Sequence, residues 1–268
     1  MPAVRRAAVD GLFYPAAPSA LRQQVERCLS GAGNPADNAR NPPKLLIAPH
    51  AGYAYSGVVA ASAYTLFAHR PPPAIRRIVL LGPAHHVRVH GLAAPDASAF
   101  ETPLGRVPVD AEALASLDDL PQVTRSDEAN APEHSIEVQL PFLQTVLGPF
   151  TLVPLVVGDA APQAVAQVLE RLWGGPETRI VISSDLSHEL PYARAMALDR
   201  ATVERILNLE ADLSPHEACG SAAINGALRA ARVHGLAPRL LDLRNSGDTA
   251  GDRDRVVGYA AVAFEERP

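Results

Sequence analysis

Leu45-Leu46-Ile47-Ala48-Pro49-His50-Ala51-Gly52-Tyr53 is the stretch whose reading decides the fold. Four consecutive apolar residues predict a short strand buried on both faces. Pro49 stops the strand and hands one histidine to a glycine-containing turn. Small residues at Gly57, Ala60, Ala61 and Ala63 then continue as a helix. Strand, polar turn and helix is how an α/β protein builds a site at the carboxyl edge of a parallel sheet.

Outward from this stretch the pattern recurs. Arg77 to Pro83 is an apolar strand that ends in Gly-Pro, with His85 and His86 directly after it. Arg179 to Asp185 is a third buried strand with a polar end, and His188 lies just beyond. Further strands are predicted over 151–158, 239–243 and 256–264, and helices over 19–30, 162–173, 192–209 and 221–233. Glu133 opens an amphipathic helix with Ile136, Leu140, Leu143 and Leu147 on one face, kinked at Pro141. Residues 91–109 read as irregular or short β structure, and Asp110 as the N-cap of a short helix through Leu117. Gly31 to Pro43 and His69 to Pro73 read as loops. Apolar strands separated by helices predict a largely parallel sheet covered on both faces. No linker or composition shift divides the 268 residues, so one domain over 1–268 is expected.

The composition excludes several classes. A net charge of −5 gives no field that would draw nucleic acid or an anionic membrane. There is no uninterrupted run of about 18 apolar residues, so no membrane span is expected. Met1 to Arg6 is not followed by the apolar segment of a secretory signal, and a cytoplasmic location with two free thiols is the expectation. Lys44 is the sole lysine, and the start of a strand is a poor place for Schiff-base chemistry.

The chemistry sits at the strand ends. His50, His85 with His86, and Asp185 with His188 come from three separate strands. Any one of these histidines alone reads as a semi-buried turn residue; three in one structural context point to a site. Asp185 also reads as a helix N-cap. Cys28 falls on an apolar helical face and is assigned to the core. Cys219 lies in no apolar stripe, beside Gly220 and just before a helix whose N-terminus favours thiolate. It suits a metal ligand or a nucleophile, and equally a small buried side chain. Together His50, His85 and Cys219 make three ligands with open coordination positions, a donor set for Fe(II), Cu or Zn. His188, in the neighbourhood of Asp185, would be a free base beside it. Ser183-Ser184-Asp185 with His188 invites a serine-triad reading, but no G-x-S-x-G elbow accompanies it. There is no P-loop and no strand-following G-x-G-x-x-G. His69, His90, His216 and His234 read as solvated.

At these residues the chain resembles the Memo family. The motifs are Ala48-Pro49-His50-Ala51-Gly52-Tyr53, Leu81-Gly82-Pro83-Ala84-His85-His86, Glu133-His134-Ser135-Ile136-Glu137, Ser183-Ser184-Asp185-Leu186-Ser187-His188 and Cys219-Gly220. Gly11-Leu12-Phe13-Tyr14-Pro15 and Gly258-Tyr259-Ala260-Ala261 fit as well, so the ordered set spans nearly the whole chain. The resemblance implies a three-layer α/β/α sandwich with a mainly parallel central sheet, related to the class III extradiol (LigB-type) dioxygenases. It also implies His50, His85 and Cys219 as ligands, with His134 and His188 lining the pocket and His188 in the place of the dioxygenase acid–base histidine. Asp185, His134 and His188 are thus the catalytic candidates. The animal member of the family acts in cell motility and has been described as a phosphotyrosine-peptide binder and a copper- or iron-dependent redox protein. Bacterial members often occur beside radical-SAM and AMMECR1-domain proteins, which implies a shared pathway. Glu189, directly after His188, departs from the aromatic or apolar residue expected there.

Three functions follow as expectations. The leading one is a metal-dependent oxidoreductase using Fe(II) or Cu on a small molecule. A cysteine in place of the dioxygenase carboxylate makes that ligand softer and oxidisable, so ring cleavage does not transfer automatically. The alternative is a non-catalytic module holding a peptide or metabolite in the same cleft. The third is hydrolysis by water on Zn. Phe13, Tyr14, Tyr53, Tyr55 and Tyr192 lie near the site segments and are candidates to shape the pocket.

Overall fold

The computed structural model describes residues 3–33, 42–68 and 75–266. The loop readings at Gly31 to Pro43 and His69 to Pro73, with His69 itself, lie largely outside them. The apolar run Leu45–Ala48 is strand β2 in a chain whose order begins β1 (Val4–Arg5), α1 (Pro18–Gly31), β2, α2 (Tyr53–Tyr64) and β3 (Arg77–Pro83). It continues through β4 (Leu92–Ala94), β5 (Ala99–Thr102), β6 (Gly105–Pro108), α3 (Ala111–Ala115) and β7 (Val123–Arg125). Then come α4 (Asp127–Asn130), α5 (His134–Glu137), α6 (Leu140–Val146), β8 (Thr151–Val157) and α7 (Pro162–Leu172). The last elements are β9 (Thr178–Ser183), α8 (Tyr192–Leu207), α9 (Ser221–Val233), β10 (Leu236–Asn245) and β11 (Gly258–Glu266).

Eight strands form one sheet in the order β10-β11-β2-β9-β3-β8-β4-β7. Its centre, β2-β9-β3-β8, is parallel throughout. The flanks are mixed: β10, β11 and β2 pair antiparallel, as do β4 and β8, whereas β4 and β7 are parallel. The sheet is therefore the expected α/β sheet at its centre and more mixed at its margins.

Side-chain alternation explains the three layers. Leu46 and Ala48 of β2, with Ile78 and Leu80 of β3, face one core that includes Leu21 and Val25 of α1, Tyr64 of α2 and Phe142 of α6. Leu45 and Ile47, with Val79, Leu81, Ile180 and Ile182, face a second core under Val168 of α7, Val203 of α8 and Leu228 of α9. Both faces are covered, which is why the central strands are continuous apolar runs rather than alternating ones. Cys28 belongs to the first core.

Three local readings change. The stretch 91–109 supplies β4 and the β5–β6 pair, and β1 joins β5 in parallel to make a separate three-stranded sheet. The helix expected from Glu133 is two helices, α5 and α6, and Pro141 sits in the first turn of α6 instead of kinking a continuous helix. Proline is tolerated there because its missing N–H would have no partner anyway. Of the terminal strands, β10 is longer than expected and β11 is shifted by two residues, and they form one antiparallel hairpin at the sheet edge. No helix among the described residues is long and apolar enough to cross a membrane.

Candidate metal centre

Strands β2, β9 and β3 are adjacent and parallel, so the segments that follow them gather at one edge. Ligand atoms of His50, His85 and His134 lie within 4.8 Å of one another there. His134 opens α5, and its ring stacks on that of His85 with centroids 4.7 Å apart. The close approach of α5 to β3 depends on Gly82, since a Cβ at that position would meet Ser135 Oγ at 2.4 Å. Phe13, from the N-terminal arm, packs at 4.8 Å from the His134 ring.

The hydrogen bonds around His50 fix its tautomer. Its backbone N–H donates to Asp185 Oδ1 at 2.8 Å, and its Nδ1 lies 2.8 Å from Ser183 Oγ. Ser183 gives its one hydroxyl proton to the Ser135 carbonyl at 2.6 Å and accepts from Gln139 Nε2 at 2.8 Å. The amide of Gln139 is oriented in turn, because Nε2 donates to the Pro49 carbonyl at 2.9 Å and Oε1 accepts from Tyr64 at 2.7 Å. Ser183 Oγ therefore has only an acceptor site left for His50. His50 carries its proton on Nδ1, and Nε2 keeps a lone pair. Burial first, then the neighbouring His85 and His134, hold its pKa well below the ordinary histidine value.

A carboxylate does the same for His85. Glu133 accepts from the backbone N–H of His85 at 2.7 Å and sits 2.9 Å from its Nδ1. It also caps α5 by accepting from Ser135 N. Burial alone would raise the Glu133 pKa, but the bonds from His85 and Ser135 outweigh it and bring the group down to about 2. An ionised acceptor assigns the proton to His85 Nδ1 and leaves Nε2 as the lone-pair atom of the neutral ring. The pKa of His134 is pushed down to about 4, chiefly by burial. A carboxylate behind a metal-binding imidazole is a common device for orienting the ring and raising its basicity.

Of the ligands expected from the sequence, Cys219 contacts His50 but does not join the cluster, in which His134 is the third member. Its Sγ is 3.4 Å from His50 Nε2 and 3.6 Å from the Asp185 carbonyl. Gly220 lets the start of α9 press on the end of β9, where a Cβ would come within 2.7 Å of Ser184 Cβ. The thiol is not the acidic one expected from the helix N-terminus: burial, reinforced by the negative charge of Asp185, pushes its pKa up to about 12. Asp185 is itself pushed up to about 6 by burial, against the bond it receives from His50. The Asp185 carboxylate comes within 4.0 Å of His50 Nε2.

Other sequence-derived candidates fall in different places. His188 is exposed beyond the strand tip, and its Nδ1 bonds the Leu186 carbonyl at 2.9 Å rather than the Asp185 carboxylate. The serine-triad reading has no geometry behind it, since Ser184 Oγ donates to the Asp185 carbonyl and Ser183 is committed to Ser135. His86 is exposed, with its ring 5.8 Å from His134. Glu189 pairs with Arg255 and faces solvent. His90 and His216 are exposed, whereas His234 stacks on Trp173 at 3.7 Å and bonds Glu170, so it is not merely solvated. Of the aromatic residues, Phe13 reaches the site; Tyr14 and Tyr53 are buried, and Tyr192 bonds Asp248. Sequence reasoning missed Glu133, Ser183 and Gln139 as supports. Glu133 and Glu137, four positions apart at the N-cap and the last residue of α5, were a usable signal.

A cleft of about 460 Å³ adjoins this group. Cys219, Pro83 and Ala84 line it together with Ser221, Ala222 and Ala223 at the start of α9.

Comparison with known proteins agrees with the motifs. The profile of the Memo-like protein family matches residues 5–263. The chain is 36% identical over 280 residues to MEMO1 family protein MK0963 of Methanopyrus kandleri, covering 97% of this chain and 98% of that protein. It is 35% identical to a MEMO1 family protein of Ignicoccus hospitalis, with 97% and 98% coverage. Among solved structures, an uncharacterized protein of Escherichia coli K12, JW3007, superposes with a TM-score of 0.51 at 13% identity, covering 81% of this chain and 98% of that one. That likeness bears on the fold alone. With a family match over nearly its full length and relatives above 30% identity at both ends of the chain, this protein belongs to the Memo family.

Proposed function

We propose that the protein is a metal-dependent oxidoreductase of the dioxygenase-like type, with Fe(II) or Cu held by His50, His85 and Cys219, and Zn as the redox-inert substitute. His134 is a further donor within reach of the same ion or a wall of its pocket. The observation that carries this reading is the wiring of the two imidazoles. Ser183 and Glu133 each accept a hydrogen bond from the Nδ1–H, which leaves Nε2 of both rings as the lone-pair donor. Two imidazoles and a sulfur suit a borderline or soft transition metal rather than Mg²⁺ or Ca²⁺.

Bound there, Fe(II) or Cu would supply redox and dioxygen chemistry that no side chain of the site can provide. The chain's own residues have separate tasks. Burial of His50 and His134 keeps both rings neutral, so neither repels a cation. Cys219 must surrender its proton on ligation, against burial and the negative charge of Asp185 that hold it protonated in the metal-free site. His188, whose Nδ1 bonds the Leu186 carbonyl and whose Nε2 has no partner among the described residues, is the residue we assign to move a proton on substrate.

Oxygen uptake tests the catalytic half of this reading. Protein loaded anaerobically with Fe(II) or Cu is mixed with a panel of catechols in a closed electrode cell. The expected result is substrate-dependent oxygen consumption that falls about 100-fold or more in His188→Ala. No uptake with any metal and substrate, alongside intact ligand binding, would instead favour a non-catalytic binding module.

A further inference from the structure

The cleft beside Cys219 has a polar end that the metal reading leaves unused. Helix α9 runs 13 residues and starts with no side-chain cap. Ser221 N–H bonds the Ala218 carbonyl and Ile224 N–H bonds Gly220, but the N–H groups of Ala222 and Ala223 have no protein acceptor among the described residues. All of Ser221, Ala222 and Ala223 line the cleft. Ser221 is only 4% exposed, and its hydroxyl has no hydrogen-bond partner among the described residues. Arg88 lines the same cleft, exposed, with no ion pair or hydrogen bond to a described residue.

Two free amides, an unpartnered hydroxyl and an unpaired guanidinium all favour one kind of occupant. A helix N-terminus carries partial positive charge and presents N–H donors to an anion. Arg adds a forked set of donors suited to carboxylate or phosphate oxygens. Asp159 is the acidic side chain on this lining, and at its exposed position water and salt screen it. A volume of about 460 Å³ is the size of a small-molecule site. Cys219 lines this cleft and lies 3.4 Å from His50 Nε2, so the cleft adjoins the candidate metal centre at that residue.

We propose that the cleft is the substrate site and that it takes a small molecule bearing an oxyanion, carboxylate or phosphate. The oxyanion is held by the Ala222 and Ala223 amides, the Ser221 hydroxyl and Arg88. Its assignment as the substrate site rests on the metal-centre reading; the oxyanion subsite stands on its own observations.

The experiment titrates the full chain separately with inorganic phosphate and with benzoate, following backbone amide signals by NMR. The expected result is a saturable shift of the Ala222 and Ala223 amides with at least one probe, and which probe binds tighter identifies the oxyanion. Arg88→Ala and Ser221→Ala each weaken that binding about three- to tenfold while the amide spectrum stays folded. His50→Ala, run in parallel, keeps the anion response whatever happens to its metal content, so failure of the metal reading is seen separately. Absence of a shift at Ala222 and Ala223 with both probes overturns the proposal. So does a shift that is unchanged in both Arg88→Ala and Ser221→Ala.

Discussion

Ser183 is the residue on which the chemistry of His50 turns. Its hydroxyl accepts from Gln139 and donates to the Ser135 carbonyl, which leaves His50 Nδ1 as the donor. Replacing Ser183 with alanine removes that instruction without altering the backbone strand. The Ser183→Ala protein is expected to fold and to bind metal about 10- to 100-fold more weakly, the usual cost of losing an outer partner of a ligand. Competition with a chromophoric chelator measures it, and an affinity equal to wild type would mean that His50 is not wired as described. The histidines at the strand tips were legible because each follows a short apolar run directly in sequence. Their supports were not. Ser183 and Glu133 look like strand-end and loop residues until the fold brings them to His50 and His85.

At the scale of elements, the short helix α5 carries more than its length indicates. Its Glu137 carboxylate is fully buried and receives the Arg5 guanidinium, the Tyr14 hydroxyl and the backbone N–H groups of Ala8 and Val9. Arg5 also reaches the carbonyls of Asn130 and Glu133. The N-terminal arm is thereby clamped to the helix that presents His134, and Phe13 from that arm rests on the ring. Taking away one partner strands the other charge in the interior, which typically costs about 3–5 kcal/mol. Glu137→Gln is therefore expected to lower the urea midpoint strongly, and Arg5→Met combined with Glu137→Leu to recover part of the loss. A Glu137→Gln midpoint near wild type would contradict the clamp. None of this was readable from local pattern, because Arg5 and Glu137 are 132 positions apart. Distance in sequence likewise hid the pairing of β1 with β5, whereas β2, β3 and β9 announced themselves as continuous apolar runs.

Across the whole molecule the site makes stability depend on pH. Glu133 lies at about 2 in the folded protein against 4.5 for a free glutamate, so its contribution is complete above 4.5 and is lost as pH falls toward about 2. His134 lies at about 4 against 6.5, so the unfolded chain binds its proton first and stability falls as pH drops from 6.5 toward 4. Both groups act in one direction, each worth about 3 kcal/mol at most. Asp185, raised from 3.8 to about 6, works against His134 between about pH 6 and 4, so the urea midpoint of the metal-free protein is expected to fall mainly below about pH 4.5, and Glu133→Gln to flatten that fall. An unchanged slope in the variant would show that Glu133 does not carry the effect. The broad architecture was legible because a sheet buried on both faces must be written in apolar runs with helices between them. The mixed flanks were not, since strand direction at an edge is set by connections that leave no periodicity behind. The central claim, that His50, His85 and Cys219 form a transition-metal centre, is tested most directly by metal content per chain after anaerobic purification and reconstitution. Wild type is expected to hold about one Fe(II) or Cu per chain, and His50→Ala and Cys219→Ala to lose most of it while remaining folded. Equal metal content in all three proteins, or none in wild type, would contradict the account.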